Sequence, residues 1–203
     1  MQDSLFLPIP TPDLVGEEIR KNFDCDPVTQ LTEIALTDLI RQYPLNTNPA
    51  HVLLKVVAIN RLYNTNIFAV HDVARHITNL RIDSNLAQGT PDLVKRIAEV
   101  TIKDDVRNNY SFATKYCSWH NPEAYPIWDS YVDECLWAYK RQANFHDFKR
   151  QHLWDYPKFV EVVTAFQKQY GLDSLTFKEI DKFLWVKGYN LLKSRRAARL
   201  DQK

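Results

Sequence analysis

The chain is 203 residues long, 45% hydrophobic, 25% charged and 12% aromatic, the balance of one globular domain or of one domain with two lobes. It has only 4 glycines, and neither G-x-x-x-x-G-K-[ST] nor G-x-G-x-x-G occurs, which excludes phosphate loops of those kinds and argues against a β fold with many tight turns. The net charge of +1 hides an asymmetry: residues 182–203 carry +6 (Lys182, Lys187, Lys193, Arg195, Arg196, Arg199 and Lys203 against Asp201), which leaves −5 on the rest.

A concentrated basic end suits a polyanionic partner, and it equally suits a solvated helix end whose cations complement the helix dipole. No apolar run approaches the ~18 residues of a membrane span. The start, MQDSLFLPIPTPDL, lacks the basic-then-apolar layout of a signal peptide. Cys25, Cys117 and Cys135 are odd in number and form no C-x-x-C, as expected of reduced cytosolic thiols. The expectation is a soluble cytoplasmic protein, nucleoid-associated if bacterial, with no membrane partner.

In chain order, residues 1–26 hold three prolines and little periodicity, and read as an arm or a short N-terminal helix. From Pro27 the pattern is helical, with Leu31, Ile34, Ala35, Asp38 and Leu39 at i, i+3, i+4 spacing and Pro44 as a stop. A second helix starts with an Asn or Thr cap and Pro49, and continues through Val52, Leu53, Val56, Val57 and Ile59, almost apolar all round as a buried central helix would be. Asn64-Thr65-Asn66 breaks it. Phe68, Val70, Val73, Ala74 and Ile77 form the next, and Leu93, Val94, Ile97 and Ala98 a short one. Longer helices are expected near 106–120 and 127–142, then from Pro157 to Tyr170 with Gly171 as its stop. A last helix opens with the capping box of Thr176 and Glu179, and turns Phe177, Ile180, Phe183 and Leu184 inward. No segment alternates convincingly at period two. The expected class is all-α, with seven to nine helices and no repeats, residues 27–203 forming a single domain of two lobes after an N-terminal arm over 1–26.

The chemistry concentrates in YSFATKYCSWHNPEAYPIWDSYV at 110–132. The NPEAYP of 121–126 is too proline-rich for a helix interior and must be a loop. Asp129 then falls at the entry to the following helix, where free N–H groups and the dipole stabilise a carboxylate. A simple helix cap is one account of it. Lys115 lies mid-helix before the loop.

Taken together, these residues resemble the helix-hairpin-helix DNA glycosylase superfamily, nearest to the 8-oxoguanine glycosylase-like branch. Ala113-Thr114-Lys115 matches the end of the family's hairpin. Pro126-Ile127-Trp128-Asp129 matches the proline-containing lead-in to its catalytic aspartate, with one extra residue. The segment from Val56 to Ile67 is similar to the early helix that ends in a polar turn at the lesion, and the turn is asparagine-rich here. The likeness covers residues 50–140. The hairpin glycines are absent, NNYSFATK standing where a Gly-x-Gly turn belongs.

The resemblance implies a two-lobed helical fold and base excision on double-stranded DNA by a monomer. It brings no cofactor, no metal and, without a cysteine cluster, no iron–sulfur centre. Asp129 would stabilise the cation-like sugar. Lys115, if burial lowered its basicity, would attack C1′ and form a Schiff base, adding a lyase step. Asn64 and Asn66 are the candidates for filling the hole left by a flipped base. Trp119, Trp128, Tyr131 and His120 are candidates for the base pocket, with Tyr125 nearby. Thr114, Lys193, Arg195 and Arg196 are candidates for DNA contact. The alternative is a helical module that keeps the fold and binds DNA or protein without excision. His71 and His76 are five apart, not the i, i+4 of a zinc helix, so no metal site is expected.

Overall fold

Helix starts follow capping chemistry. Thr11 Oγ1 accepts from Leu14 N at α1 (Pro12–Ile19), the Asp26 carboxylate from Thr29 N at α2 (Pro27–Gln42), and Asn48 Oδ1 from Ala50 N and His51 N at α3 (Pro49–Tyr63). A proline stands in the first turn of each, where a missing N–H leaves nothing unsatisfied. There follow α4 (Val70–Leu80), α5 (Asp83–Gln88), α6 (Asp92–Ala98), β1 (Glu99–Ile102), β2 (Asp105–Asn108) and α7 (Tyr110–His120). After them come α8 (Ser130–Ala143), a 3-10 turn over Arg150–Trp154, α9 (Tyr156–Gln169) and α10 (Phe177–Leu200). The computed structural model describes residues 6–200, with side chains through Ala198; Asp201, Lys203 and the side chain of Arg199 from the basic end lie outside it. The fold is all-α.

The chain divides into two compact units, residues 26–127 and residues 1–25 with 128–203. In the first, α3 packs on α2, α4 and α7, and α6 packs on α4 and α7. Val52, Val56 and Ile59 of α3 and Ile77 of α4 are wholly buried in its core. In the second, α8 and α1 both pack on α10. Its core is aromatic: Tyr139 meets Phe166 edge-on at 5.1 Å, and Phe145 meets the same ring at 5.4 Å. The segment before α1 is tied to α8, because Tyr139 OH donates to Pro8 O at 2.8 Å and Gln142 exchanges hydrogen bonds with Leu7 at 2.9 and 2.8 Å. The capping box at 176–179 forms as the sequence suggests, Glu179 N donating to Thr176 Oγ1 and Thr176 N to Glu179 Oε2.

Four features differ from the sequence reading. Residues 99–108 pair as an antiparallel ribbon, Val100 opposite Arg107 and Thr101 opposite Val106, where a helix from 106 was expected. Its turn, Lys103-Asp104, takes positive φ of 47° and 68° without a glycine, so the usual hairpin signal is missing. The short α5 ends on Gly89 at φ 66° and brings the described α-helices to ten. The apolar positions of α2 do not face a core, since Leu31 and Ile34 are exposed and only Leu36 is buried. Phe68 precedes α4 rather than lining it, and is 95% exposed.

Gly188 sets the packing of α10 on α8. A Cβ there would run into the carbonyl oxygen of Tyr131, in the first turn of α8. Around Gly16, by contrast, a Cβ meets nothing within 4 Å. In urea denaturation, Gly188→Ala should cost about 2 kcal/mol or more, whereas Gly16→Ala should be neutral or stabilising by up to about 1 kcal/mol. Equal stability of Gly188→Ala and the wild type would contradict this packing.

Candidate functional site

Lys115 lies in the buried stretch of α7, only 3% exposed. Its ammonium donates to Ser111 Oγ at 2.7 Å and sits 5.6 Å from the centroid of the Tyr63 ring. Trp119 Nε1 donates to Tyr63 OH at 3.1 Å. Ser111, Lys115 and Trp119 are thus one i, i+4 stripe of α7 laid against the last residue of α3. Neither Ser111 nor Tyr63 was singled out by sequence, although the four-residue spacing around Lys115 was there to be read. Thr114 is wholly buried, and its hydroxyl donates to Ser111 O at 3.0 Å, so it offers nothing to a phosphate.

Tyr63 leads straight into the asparagine turn. Asn64 and Asn66 hold positive φ of 49° and 60°, the left-handed region that asparagine tolerates best after glycine. Asn60 clamps the turn from inside. Its Oδ1 accepts from Thr65 Oγ1 and from Ile67 N, both at 2.9 Å, and its Nδ2 donates to Ile67 O at 2.8 Å. Phe68 follows directly on that clamped stretch.

Asp129 belongs to the other compact unit. It caps α8, with Oδ1 accepting from Tyr131 N at 2.9 Å and from Val132 N at 3.0 Å. Trp128 is buried with its ring centroid 4.2 Å from that of Trp154, which is 59% exposed. Tyr131 meets Trp185 and Tyr189 edge-on at 5.4 and 5.6 Å, and those two stack in parallel. Trp154, Trp185 and Tyr189 were not read from the sequence, though Trp185 and Tyr189 show i, i+4 spacing on the last helix. Of the basic end, Arg195 is engaged by Glu134, while Lys193 and Arg196 are exposed. Arg150 bonds Asp133 and Glu134 at 2.7 Å each. Burial raises the Asp133 carboxyl above its usual range despite Arg150. Burial works on Glu134 in the same sense, but Arg150 and Arg195 together hold it below the usual range.

His120 ends α7, and it joins a buried polar network rather than an open pocket. At its centre is Lys55, which has no exposed surface. The ammonium donates to Tyr43 O and Leu45 O at 3.1 Å and to Asn46 Oδ1 at 2.6 Å, and it lies 3.3 Å from His120 Nε2. Tyr116 OH also donates to Asn46 Oδ1, at 2.5 Å, while Asn46 Nδ2 donates to Asp83 at 2.7 Å. Burial pulls the Lys55 ammonium down to about 8 against the attraction of Asp83. Burial and then the Lys55 charge push the His120 imidazole down to about 3, so the ring is uncharged at neutral pH. Tyr125 is likewise structural, its hydroxyl sharing its one proton between Asn85 O and Thr90 O at 3.0 and 3.1 Å.

Among the described residues no group of three His, Cys, Asp or Glu side chains could hold a metal ion, and no helix is long and apolar enough to cross a membrane. The model of the family HI_0787_N, described as an N-terminal domain, matches residues 16–124, more than half of the chain. The chain belongs to this family. A Haemophilus influenzae protein, described as uncharacterized, is 45% identical over 130 residues, 64% of this chain. The chain matches 62% of that relative's length. No solved structure matches. The span matched by the family model holds the whole Lys55 network and the Lys115 stripe, and ends before Asp129.

The depressed His120 value makes folding pH-dependent with a fixed sign. Between about 3 and 6.5 the unfolded chain binds the proton that the folded chain refuses, so stability is full above 6.5 and is lost as pH falls toward 3. His120→Gln should remove about 3 kcal/mol of the wild-type loss between about pH 7 and pH 4 in urea titrations. An unchanged acid slope in the variant would show that His120 is not buried neutral beside Lys55.

Proposed function

We propose that the chain is a DNA base-excision glycosylase acting on a flipped damaged or modified base, with a Schiff-base lyase step. The observation that carries this is Lys115. A lysine buried mid-helix between a serine hydroxyl and a tyrosine ring is a costly arrangement for a residue whose usual place is solvent. Amines activated for attack on a sugar or carbonyl carbon occupy such settings. In the reaction the Lys115 ammonium gives a proton to the departing base, its freed lone pair forms a bond to C1′, and the electron pair of the broken N-glycosidic bond leaves with the base. Ring opening then gives the iminium that makes strand cleavage accessible. Asp129 is assigned the carboxylate that stabilises positive charge on the sugar. Its capping bonds engage Oδ1 from two backbone amides, which fixes its orientation. Double-stranded DNA is the partner of this monomer, and the exposed Lys193 and Arg196 supply phosphate contacts.

One observation favours a module that binds without excising. The chain enters α7 directly from β2, with Asn109 N donating to Ala98 O, and no glycine stands in the chain between Gly89 and Gly171, where a hairpin would offer its amides to a phosphate.

Borohydride trapping on duplexes carrying oxidised, deaminated, alkylated and hypermodified bases separates the two. The glycosylase reading expects a covalent adduct that vanishes in Lys115→Gln and excision reduced at least about 100-fold in Asp129→Asn. Duplex binding without excision or trapping on any base would leave the binding module.

A further inference from the structure

We infer that Phe68 is the side chain this protein inserts into stacked bases, and that Asn64 and Asn66 serve to shape the backbone that presents it. The inference rests on DNA being the partner, as proposed above, and goes beyond it in assigning the inserting residue.

Phe68 is 95% exposed, the highest value of any large hydrophobic side chain among the described residues, and hydrophobic contact is what it is built to make. An exposed aromatic on a loose loop would mean little. This one follows a stretch that cannot move freely. Asn60 holds Thr65 and Ile67 through three side-chain hydrogen bonds of 2.8–2.9 Å, Thr65 N also donates to Asn60 O at 3.1 Å, and the Ile67 side chain is buried. On the far side, α4 begins at Val70, and its Val73 and Ala74 are buried. Phe68 is therefore held between two anchored points, and little ordering entropy opposes its insertion.

The asparagines have a different task. Both sit at positive φ, and both are exposed, so their residue type is accounted for by the backbone alone. Their side chains can already satisfy themselves in water and gain little inside a base stack. A phenyl ring gains stacking and loses hydration, which is the energetic basis of apolar wedges between base steps. The same loop begins at Tyr63, whose ring lies against the Lys115 ammonium and whose hydroxyl holds Trp119. The inserting ring and the buried amine therefore belong to one framework within one compact unit. Arg61 and Leu62, on the last turn of α3, are exposed beside the loop and offer a cation and further apolar surface to the same partner.

Unstacking of 2-aminopurine in a duplex reports the insertion directly, with fluorescence anisotropy of the same complex reporting affinity. Wild-type protein should raise 2-aminopurine emission several-fold on binding. Phe68→Ala should abolish the rise while duplex affinity falls less than about 3-fold, and Phe68→Trp should keep it. Asn64→Gly and Asn66→Gly, which preserve positive φ, should also keep it. Because Phe68 is exposed, the alanine variant should melt as the wild type does. A rise retained in Phe68→Ala but lost in Asn64→Gly or Asn66→Gly would hand the role to the asparagines and overturn the inference. Wild-type binding with no rise would overturn insertion while leaving DNA as the partner. Failure of the wild type to bind any duplex would overturn the DNA reading itself, and the inference with it.

Discussion

The middle unit depends on one buried cation. The ammonium of Lys55 has no exposed surface, and it satisfies carbonyls of Tyr43 and Leu45, which follow α2, together with Asn46, while His120 closes the shell from α7. Such a charge is tolerable only when all its donors are engaged, because the desolvation penalty is otherwise several kcal/mol, on the order of 3–5 for a broken buried pair. The bonds therefore act as a condition on the fold: the end of α2, the body of α3 and the end of α7 must arrive together. This matters most for α2. With Leu36 as its one buried residue it has almost no apolar anchorage of its own, so the chain just beyond its C-terminus is held by hydrogen bonds to a lysine of the neighbouring helix. Asp83 at the start of α5 extends the same condition by holding Asn46 through its backbone and side-chain amides.

The second unit handles charge differently. Asp133 and Glu134 stand side by side in the first half of α8, a repulsive arrangement taken alone, and Arg150 and Arg195, both from later in the chain, reach back to them. Lys187 is likewise committed, donating to Glu18 of α1 at 2.6 Å, and the Lys182 ammonium lies 5.0 Å from the Phe23 ring. Part of the positive charge counted at the chain's end is thus neutralised inside the unit, joining α10 to α1 and α8. Among the described residues of that end, Lys193 and Arg196 are the basic side chains left exposed.

The helices were legible because their punctuation is chemical. Proline in the first turn with an Asn or Asp cap, Gly171 after α9, and the Thr176–Glu179 box each state a helix end in two or three residues. Burial was less legible. Leu31 and Ile34 keep helical spacing yet face solvent, since periodicity says that a stripe exists and not that anything covers it. The ribbon at 99–108 escaped because four-residue strands give little alternation to count and its turn uses Lys and Asp. Within the candidate site, Asp129 as a cap and Lys115 as a mid-helix lysine were readable locally. The partners that give Lys115 its surroundings were not, because Tyr63 comes from a helix fifty residues away. His120 shows the same limit. Its sequence neighbours are aromatic and suggest a pocket, while its actual neighbour, Lys55, is 65 residues distant.

Scarcity of glycine links these observations. Left-handed backbone is needed at eight described positions, and glycine supplies only Gly89 and Gly171; Asn64, Asn66, Arg81, Lys103, Asp104 and Asn144 supply the others. Each such residue costs roughly 1–2 kcal/mol unless its side chain repays the strain locally. Asparagine is the mildest choice, and the turn after α3 uses it twice, with the Asn60 side chain bonding the backbone of Ile67 just beyond. A glycine turn would have reached the same φ and left the segment free to flex, because glycine widens the accessible conformations of every state. The asparagine turn is strained but single-valued. That trade suits a segment which presents a bare aromatic ring to water, since a flexible loop would let the hydrophobic effect turn the ring onto apolar surface and hide it. The exposure of Phe68 is then a consequence of how the turn before it was built, with rigidity in the backbone preventing the collapse that the hydrophobic effect would otherwise drive.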